Sequence, residues 1–155
     1  MPKSYWLMKC EPAAYAIEDL ERDGRAGWEG VRNFQARNFL REMRAGDLAI
    51  FYASNADPSG PSGVMEIARD AYPDPFATKK GHDYFDPKSR PENPIWYTVD
   101  VAFVERFQRV VPLDELRATK GLEEMVVLRK GNRLSVTPVT KKEFEIVRRL
   151  GRSRG

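Results

Sequence analysis

Trp28-Glu29-Gly30-Val31-Arg32-Asn33-Phe34-Gln35-Ala36-Arg37-Asn38-Phe39-Leu40-Arg41, followed shortly by Gly46-Asp47-Leu48-Ala49-Ile50-Phe51-Tyr52-Ala53, carries the two signals that organise this chain. Ala36, Phe39, Leu40 and Met43 recur at i, i+3, i+4 and i+7, one face of a helix, while Arg37, Asn38, Arg41 and Glu42 take the other. Asn33 is placed to cap that helix, because its side-chain oxygen can accept a free N–H of the first turn. Gly46-Asp47 ends the helical run, and Leu48–Ala53 is an apolar stretch short enough for a buried strand. An indole, a glycine hinge, an Arg-Asn pair and a helix start therefore follow one another. That equipment suits a flat, hydrogen-bonding, anionic ligand such as a nucleotide.

At 155 residues with 41% hydrophobic content, the chain predicts one globular domain over 1–155. It has no apolar run near the length of a membrane span and no signal-peptide pattern, so a cytoplasmic protein with no membrane partner is expected. The single cysteine, Cys10, excludes an internal disulfide and a cysteine-cluster metal site, and the single histidine, His82, removes most metal and triad chemistry. No metal and no cofactor are expected. The net charge is +3, with a pI near 9.0. Its distribution is uneven: six basic and two acidic side chains at 141–155 give a basic C-terminal helix and tail of +4 on a body of −1. Nucleic-acid contact must then come from a local site plus this tail and be modest and salt-sensitive, while the plainer and preferred reading of the tail is a solubilising helix end.

Elsewhere the elements are short and mostly β. Residues 4–10 read as a strand with Tyr5 and Leu7 on one side and Trp6 and Met8 on the other, residues 17–22 as a short helix, and 63–71 and 95–107 as two longer strands. The segment 72–94 between those strands contains five prolines and five aromatic or imidazole side chains, which favours a loop folded over something rather than disorder. A helical turn at 113–117, a further element at 124–129 and a last strand at 133–139 follow. Thr140 and Glu143 form a capping box for a terminal helix with Phe144, Val147 and Leu150 facing inward and Gly151 just past its end. No repeat and no glycine-rich phosphate loop is present. This order predicts a small mixed β-barrel rather than a βαβ stack.

Several separated motifs resemble one family, in order and over residues 4–150. They are Tyr5-Trp6-Leu7-Met8-Lys9-Cys10-Glu11-Pro12, Trp28-Glu29-Gly30-Val31-Arg32-Asn33, Phe51-Tyr52-Ala53-Ser54-Asn55, Tyr72-Pro73-Asp74, Asp86-Pro87-Lys88, Trp96-Tyr97 and Arg133-Leu134-Ser135-Val136. Together they resemble the EVE domain. The resemblance implies an α+β fold, a PUA-like mixed β-barrel with peripheral helices, related to the YTH, ASCH and PUA domains. It also implies a reader of modified bases, cytosines above all, in DNA or RNA, with the base held in an aromatic-walled pocket. Where the family usually has Ser-Glu-Pro this chain has Cys10-Glu11-Pro12, which exchanges a hydroxyl for a weak thiol donor.

On chemical grounds Trp28 is the stacking wall, between glycines that permit close approach. Glu11 and Asn33 are placed to read the base edge, and Ser54 and Asn55 to close the polar side. Lys9, Arg32 and Arg133 are expected to position phosphate, while one of Tyr52, Tyr84 and Trp96 supplies a second wall. Cys10, Val31 and Ser135 enter through the motifs that hold them. Each residue has a plainer alternative: Trp28 as a barrel plug, Asn33 as a cap only, Glu11 as an ion-pair partner, and Arg32 or Arg133 as clamps on Asp74 or Asp86. Tyr5, Trp6, Phe39, Phe51 and Phe144 recur at core spacing. Two other functions stay open at this point. One is a nucleoside-modifying enzyme using Glu11 or Asp86 with Cys10 or His82; the other is a protein-interaction domain built on 72–94 and the tail.

Overall fold

A computed structural model describes residues 3–154. Six strands form one sheet in the order β2-β5-β4-β3-β1-β6. They are β1 (Tyr5–Cys10), β2 (Arg25–Gly27), β3 (Leu48–Ala53), β4 (Gly60–Pro73), β5 (Tyr97–Arg106) and β6 (Val136–Val139). Four helices, α1 (Ile17–Asp23), α2 (Phe34–Glu42), α3 (Leu113–Ala118) and α4 (Lys141–Arg152), occupy the crossings. Only β1 and β3 run parallel; every other neighbouring pair is antiparallel.

The period-2 alternation of β1 fixes which residues meet which core. Trp6 and Met8 face one core with Ala49 and Phe51 of β3, the buried face of α2 (Ala36 and Leu40) and Trp28. Leu7 faces the other, with Ile50, Tyr52, Leu116, Phe144 and Val147. Both faces of the central strands are thus covered, which accounts for the unbroken apolar run at Leu48–Ala53.

The fold is α+β with an open sheet. Among the described residues β2 and β6 do not pair with each other, so the hydrogen-bonded ladder does not close. The reason lies in α2, which packs on β5 towards one end of the sheet and on β6 at the other. Side-chain packing on this helix joins the two ends where a barrel would use backbone bonds. Register shifts in β4 against β5, at Val64/Met65, Ile67/Arg69 and Arg69/Tyr72, supply the bending that brings those ends near one helix.

Asp47 fastens the turn between α2 and β3. Its carboxylate, buried at 6% exposure, accepts from Ser4 N, Trp6 Nε1 and Arg44 N, each at 3.0 Å. Gly46 before it holds a φ of +100°, a conformation that favours glycine. The helix at 17–22 forms without a side-chain cap at Ala16; instead the Asp19 carboxylate accepts the Ala16 N–H at 2.8 Å. The three-residue β2 is absent from the expected elements, being too short and too exposed to leave a period.

The capping box forms as expected, Thr140 Oγ1 accepting from Glu143 N and Glu143 Oε1 from Thr140 N. The helix end differs. Gly151 lies inside α4, not beyond it, because the Phe107 ring packs against its bare Cα; a Cβ there would sit 2.2 Å from that ring. Ile146 is buried with Phe144 and Val147, while Leu150 is only partly covered. Arg148 and Arg152 turn back onto Glu105, so part of the basic tail is neutralised within the fold. Burial pushes the Glu105 carboxyl up, but its bonds from Arg152 and Arg148 outweigh that and hold it below the usual range.

Gly151→Ala tests this packing. An exposed helical site would gain about 1 kcal/mol from alanine; here urea denaturation should show a loss of roughly 1–3 kcal/mol from overpacking.

Candidate functional site

A cleft of about 690 Å³ opens where the end of β1, the turn after β2 and the tip of the 72–94 loop converge. Of the residues expected to bind, Lys9, Cys10, Glu11, Trp28, Val31, Arg32, Tyr84 and Ser135 line it. Tyr15 and Glu29 line it too and were not among those expected. A second cleft of about 550 Å³, near α1 and the end of β5, is walled by Glu18, Glu21, Glu105, Arg106 and Arg109 and contains none of the expected residues.

Trp28 forms one wall. Its backbone N–H donates to Val99 O at 2.9 Å, and its ring meets Phe51 edge-on at 5.5 Å and 86°. It is both core and cleft wall, with 7% of its surface exposed. No acceptor among the described residues takes its indole Nε1–H. Tyr84 forms the other aromatic wall at 42% exposure. Its ring lies so close over Gly30 that a Cβ there would fall 2.5 Å from it, and Gly30 holds a φ of +95°. Glycine at position 30 is required on both counts.

Asp74 holds these walls together. Its side chain is fully buried and accepts from Gly30 N at 2.9 Å, Arg32 at 3.0 Å and Phe76 N at 2.8 Å. Arg32 also donates to Tyr84 O at 2.7 Å and to Val31 O at 2.8 Å, and its guanidinium lies 5.5 Å from both the Tyr84 and Trp96 rings. Arg32 lines the cleft, but these bonds make it a clamp on the loop; the plainer alternative describes its geometry. The 72–94 segment, whose first two residues end β4, folds back onto the turn after β2, with Asp74 bound to Gly30 and Arg32 and the Tyr84 ring over Gly30. Asp86 accepts the Trp96 indole at 2.7 Å, which holds its carboxyl below the usual range.

Other expected residues lie outside the cleft. Asn33 Oδ1 accepts Ala36 N at 2.9 Å and serves as the helix cap. Tyr52 faces the second core, because it pairs in register with Lys9 on the Leu7 side of the sheet. Trp96 is buried at 6% exposure and stacks on Phe34 at 4.9 Å, away from the lining. Ser54 and Asn55 sit just past β3, where Asn55 Nδ2 reaches Glu11 Oε1 at 3.4 Å from outside the rim. Arg133 is exposed and without a partner among the described residues, two positions before Ser135.

The titrating groups of the cleft favour recognition over nucleophilic chemistry. Burial, then the charges of Glu11 and Asp19, pushes the Cys10 thiol up, and its Sγ–H donates to Glu11 O at 3.8 Å. A reactive cysteine needs the opposite shift. His82 Nδ1 accepts the Tyr84 N–H and its ring stacks on Phe76, so it is a prop for Tyr84. Burial lowers Lys9, whose ammonium lies 5.6 Å from the Tyr52 ring. Burial raises the Glu29 carboxyl above its usual range; the bond from its own backbone N–H opposes this, and repulsion from Asp74 and Asp100 adds to it. Its Oε2 is buried with no hydrogen-bond partner. A carboxylate between a tryptophan and a glycine, in a segment otherwise rich in basic groups, was the signal available in the sequence.

The EVE domain profile matches residues 4–150. This chain belongs to the EVE domain family. Human thymocyte nuclear protein 1 is 42% identical over 162 residues, covering 93% of this chain and 72% of that protein. A solved EVE-type structure, human THYN1 protein in complex with 5-methylcytosine containing DNA, superposes with a TM-score of 0.89 at 41% identity, over 99% of this chain and 100% of the other. The YTH domain of Zygosaccharomyces rouxii MRB1 protein superposes with a TM-score of 0.55 over 97% of this chain and 87% of that one. At 13% identity it shows a shared fold only. Among the described residues of this EVE domain no helix is long and apolar enough to cross a membrane, and no group of three or more His, Cys, Asp or Glu side chains could hold a metal ion.

Asp74→Ala should cost roughly 3 kcal/mol in chemical denaturation, since it orphans two buried N–H groups and frees Arg32 from its counter-charge. Glu29 should behave oppositely. Its carboxyl is raised in the fold, so the penalty is absent below the unfolded value near pH ~4 and grows as pH rises through the folded one. Glu29→Gln should therefore raise Tm at pH 7, and the gain should vanish at acid pH.

Proposed function

We propose that this chain is a single PUA-like reader domain, its curved sheet and α2 standing in for a closed barrel, that binds nucleic acid by holding one modified base in the Trp28–Tyr84 cleft. The observation that carries this reading is one cleft lined by two aromatic side chains, a nearly buried Trp28 and an exposed Tyr84. Two aromatic walls suit a flat π-system, and the cleft is of the size that holds a small ligand. The likeness to human THYN1 protein, solved with 5-methylcytosine containing DNA, supports a methylated pyrimidine as the ligand class. A base reaches such a cleft only when taken out of the stack, and a mismatched or single-stranded site lowers that cost.

Lys9 and Glu11 stand at the rim, and Arg133 is available nearby for phosphate, the role in which Arg32 is already spent. Contacts to phosphate position the strand, and contacts inside the cleft specify the base. We place the reader in a reducing, cytoplasmic setting, on the strength of its lone free thiol. The human relative carries the word nuclear in its name, and nuclear import of a labelled protein in cells would decide between the two compartments.

Fluorescence anisotropy with oligonucleotides that differ at one cytosine tests the reading. The wild type should prefer 5-methylcytosine over cytosine, and Tyr84→Ala should weaken binding roughly 5- to 100-fold through lost stacking while circular dichroism stays native. Trp28→Phe, which keeps a ring against Phe51 but removes the indole N–H, should weaken both oligonucleotides, because the ring nitrogen and carbonyl that could accept that N–H are common to the two bases. Equal affinity of the wild type for both oligonucleotides would overturn the proposal.

A further inference from the structure

Glu29 Oε2 is one of two buried side-chain oxygens or nitrogens without a partner among the described residues; the other, Thr137 Oγ1, lies in β6 at the position paired with Leu7. Buried acceptors are nearly always satisfied, so an orphaned one in a cleft wall calls for a donor that arrives with the ligand. The carboxylate is placed there by a local device. Gly27 has no side chain, and a Cβ at that position would fall 1.8 Å from Oε2, so the carboxylate lies directly against the backbone at the end of β2. Among the described residues no lysine or arginine binds it: Arg32 is held by Asp74 and by two carbonyls, and the repulsion Glu29 meets comes from Asp74 and Asp100.

We infer that Glu29 is the specificity-determining group of the cleft, accepting a hydrogen bond from the exocyclic amino group of an aminopyrimidine and rejecting bases that carry an oxo group there. The inference rests on the base-reading function proposed above. A carboxylate can only accept, so it matches a ring amine and repels a carbonyl oxygen in the same place. Trp28 Nε1–H, also unused, supplies the complementary donor for a ring nitrogen or carbonyl of the same base. Rejection of this kind is stronger than a shape pocket achieves, because the wrong base leaves a buried charge unpaired. Burial, with repulsion from Asp74 and Asp100, raises Glu29, and an incoming amine donor would supply the hydrogen bond its buried Oε2 lacks.

5-Methylcytosine and thymine isolate the effect, since both carry the methyl group and they differ at the amino or oxo position. Anisotropy titrations at neutral pH with single-stranded oligonucleotides identical except for that one base should show the wild type preferring 5-methylcytosine by about tenfold or more. Glu29→Gln, whose amide can donate as well as accept, should bring the ratio to within about threefold with its melting temperature unimpaired. A wild type without the preference, or a Glu29→Gln variant that keeps it in full, overturns the inference. The function itself fails separately, as equal affinity for cytosine and 5-methylcytosine; absence of any oligonucleotide binding removes both.

Discussion

The buried carboxylate of Asp74 is the constraint on which the site depends. It gathers three donors from two segments more than forty residues apart in sequence, the turn at Gly30 to Arg32 and the first residues of the 72–94 loop. A charge with no exposed surface is costly to desolvate, and its bonds offset that cost only when all are made at once. The arrangement therefore does little for net stability and much for geometry. It leaves one position for Gly30 relative to the loop, and the Tyr84 ring, over that glycine, inherits it. Arg32 transmits the same constraint sideways, bridging Asp74, the Tyr84 carbonyl and the faces of two rings.

Electrostatics reinforces this division between structure and site. Part of the basic charge is paired within the fold: Arg148 and Arg152 on Glu105, Arg109 on Glu115, Arg25 on Asp100, Arg106 on Glu21. What remains near the cleft is sparse, Lys9 at the wall and Arg133 in the exposed run Arg129-Lys130-Gly131-Asn132-Arg133 that leads to Ser135. A protein with so few free cations at its site cannot hold a nucleic-acid backbone by counterion release alone. The contacts that distinguish ligands must then lie within the cleft, where Glu29, Trp28 and Tyr84 face the same volume.

Local pattern and packing differ in what they reveal. The apolar faces of α2 and α4, the Asn33 and Thr140 caps and the alternation of β1 are properties of neighbouring residues, and periodicity exposes them directly. Trp28 was legible as a cleft wall because its flanking glycines are a local feature as well, whereas Tyr84 stood only as one of three candidates for the second wall. Which of a side chain's competing uses is realised was not legible. Arg32 and Asn33 have the right chemistry for a ligand, and their plainer uses, a clamp on Asp74 and a helix cap, stood beside it in the sequence; the bonds to Asp74 and from Ala36 N realise the plainer ones. Of the three candidates for the second wall, Tyr52 packs in the second core with Leu7 and Ile50, a placement set by strand parity. Glu29 escaped notice because burial and a missing partner are properties of three dimensions.

The two walls of the cleft are built with different rigidity, and that difference bears on discrimination. Trp28 is held by a backbone bond to Val99, by the edge of Phe51 and by a surrounding core with no exposed atoms at Phe51 or Met8. Densely packed interiors yield little to an added methyl group, so a base with one substituent too many or too few against this wall meets a fixed contour. Tyr84 is held from one side only, by Gly30, Arg32 and the His82 ring, and its outer face is open. A wall of that kind contributes contact area to any base without distinguishing among them. On the reading proposed above, selectivity for a small modification falls to the Trp28 side, where Glu29 also stands, and general affinity to the Tyr84 side.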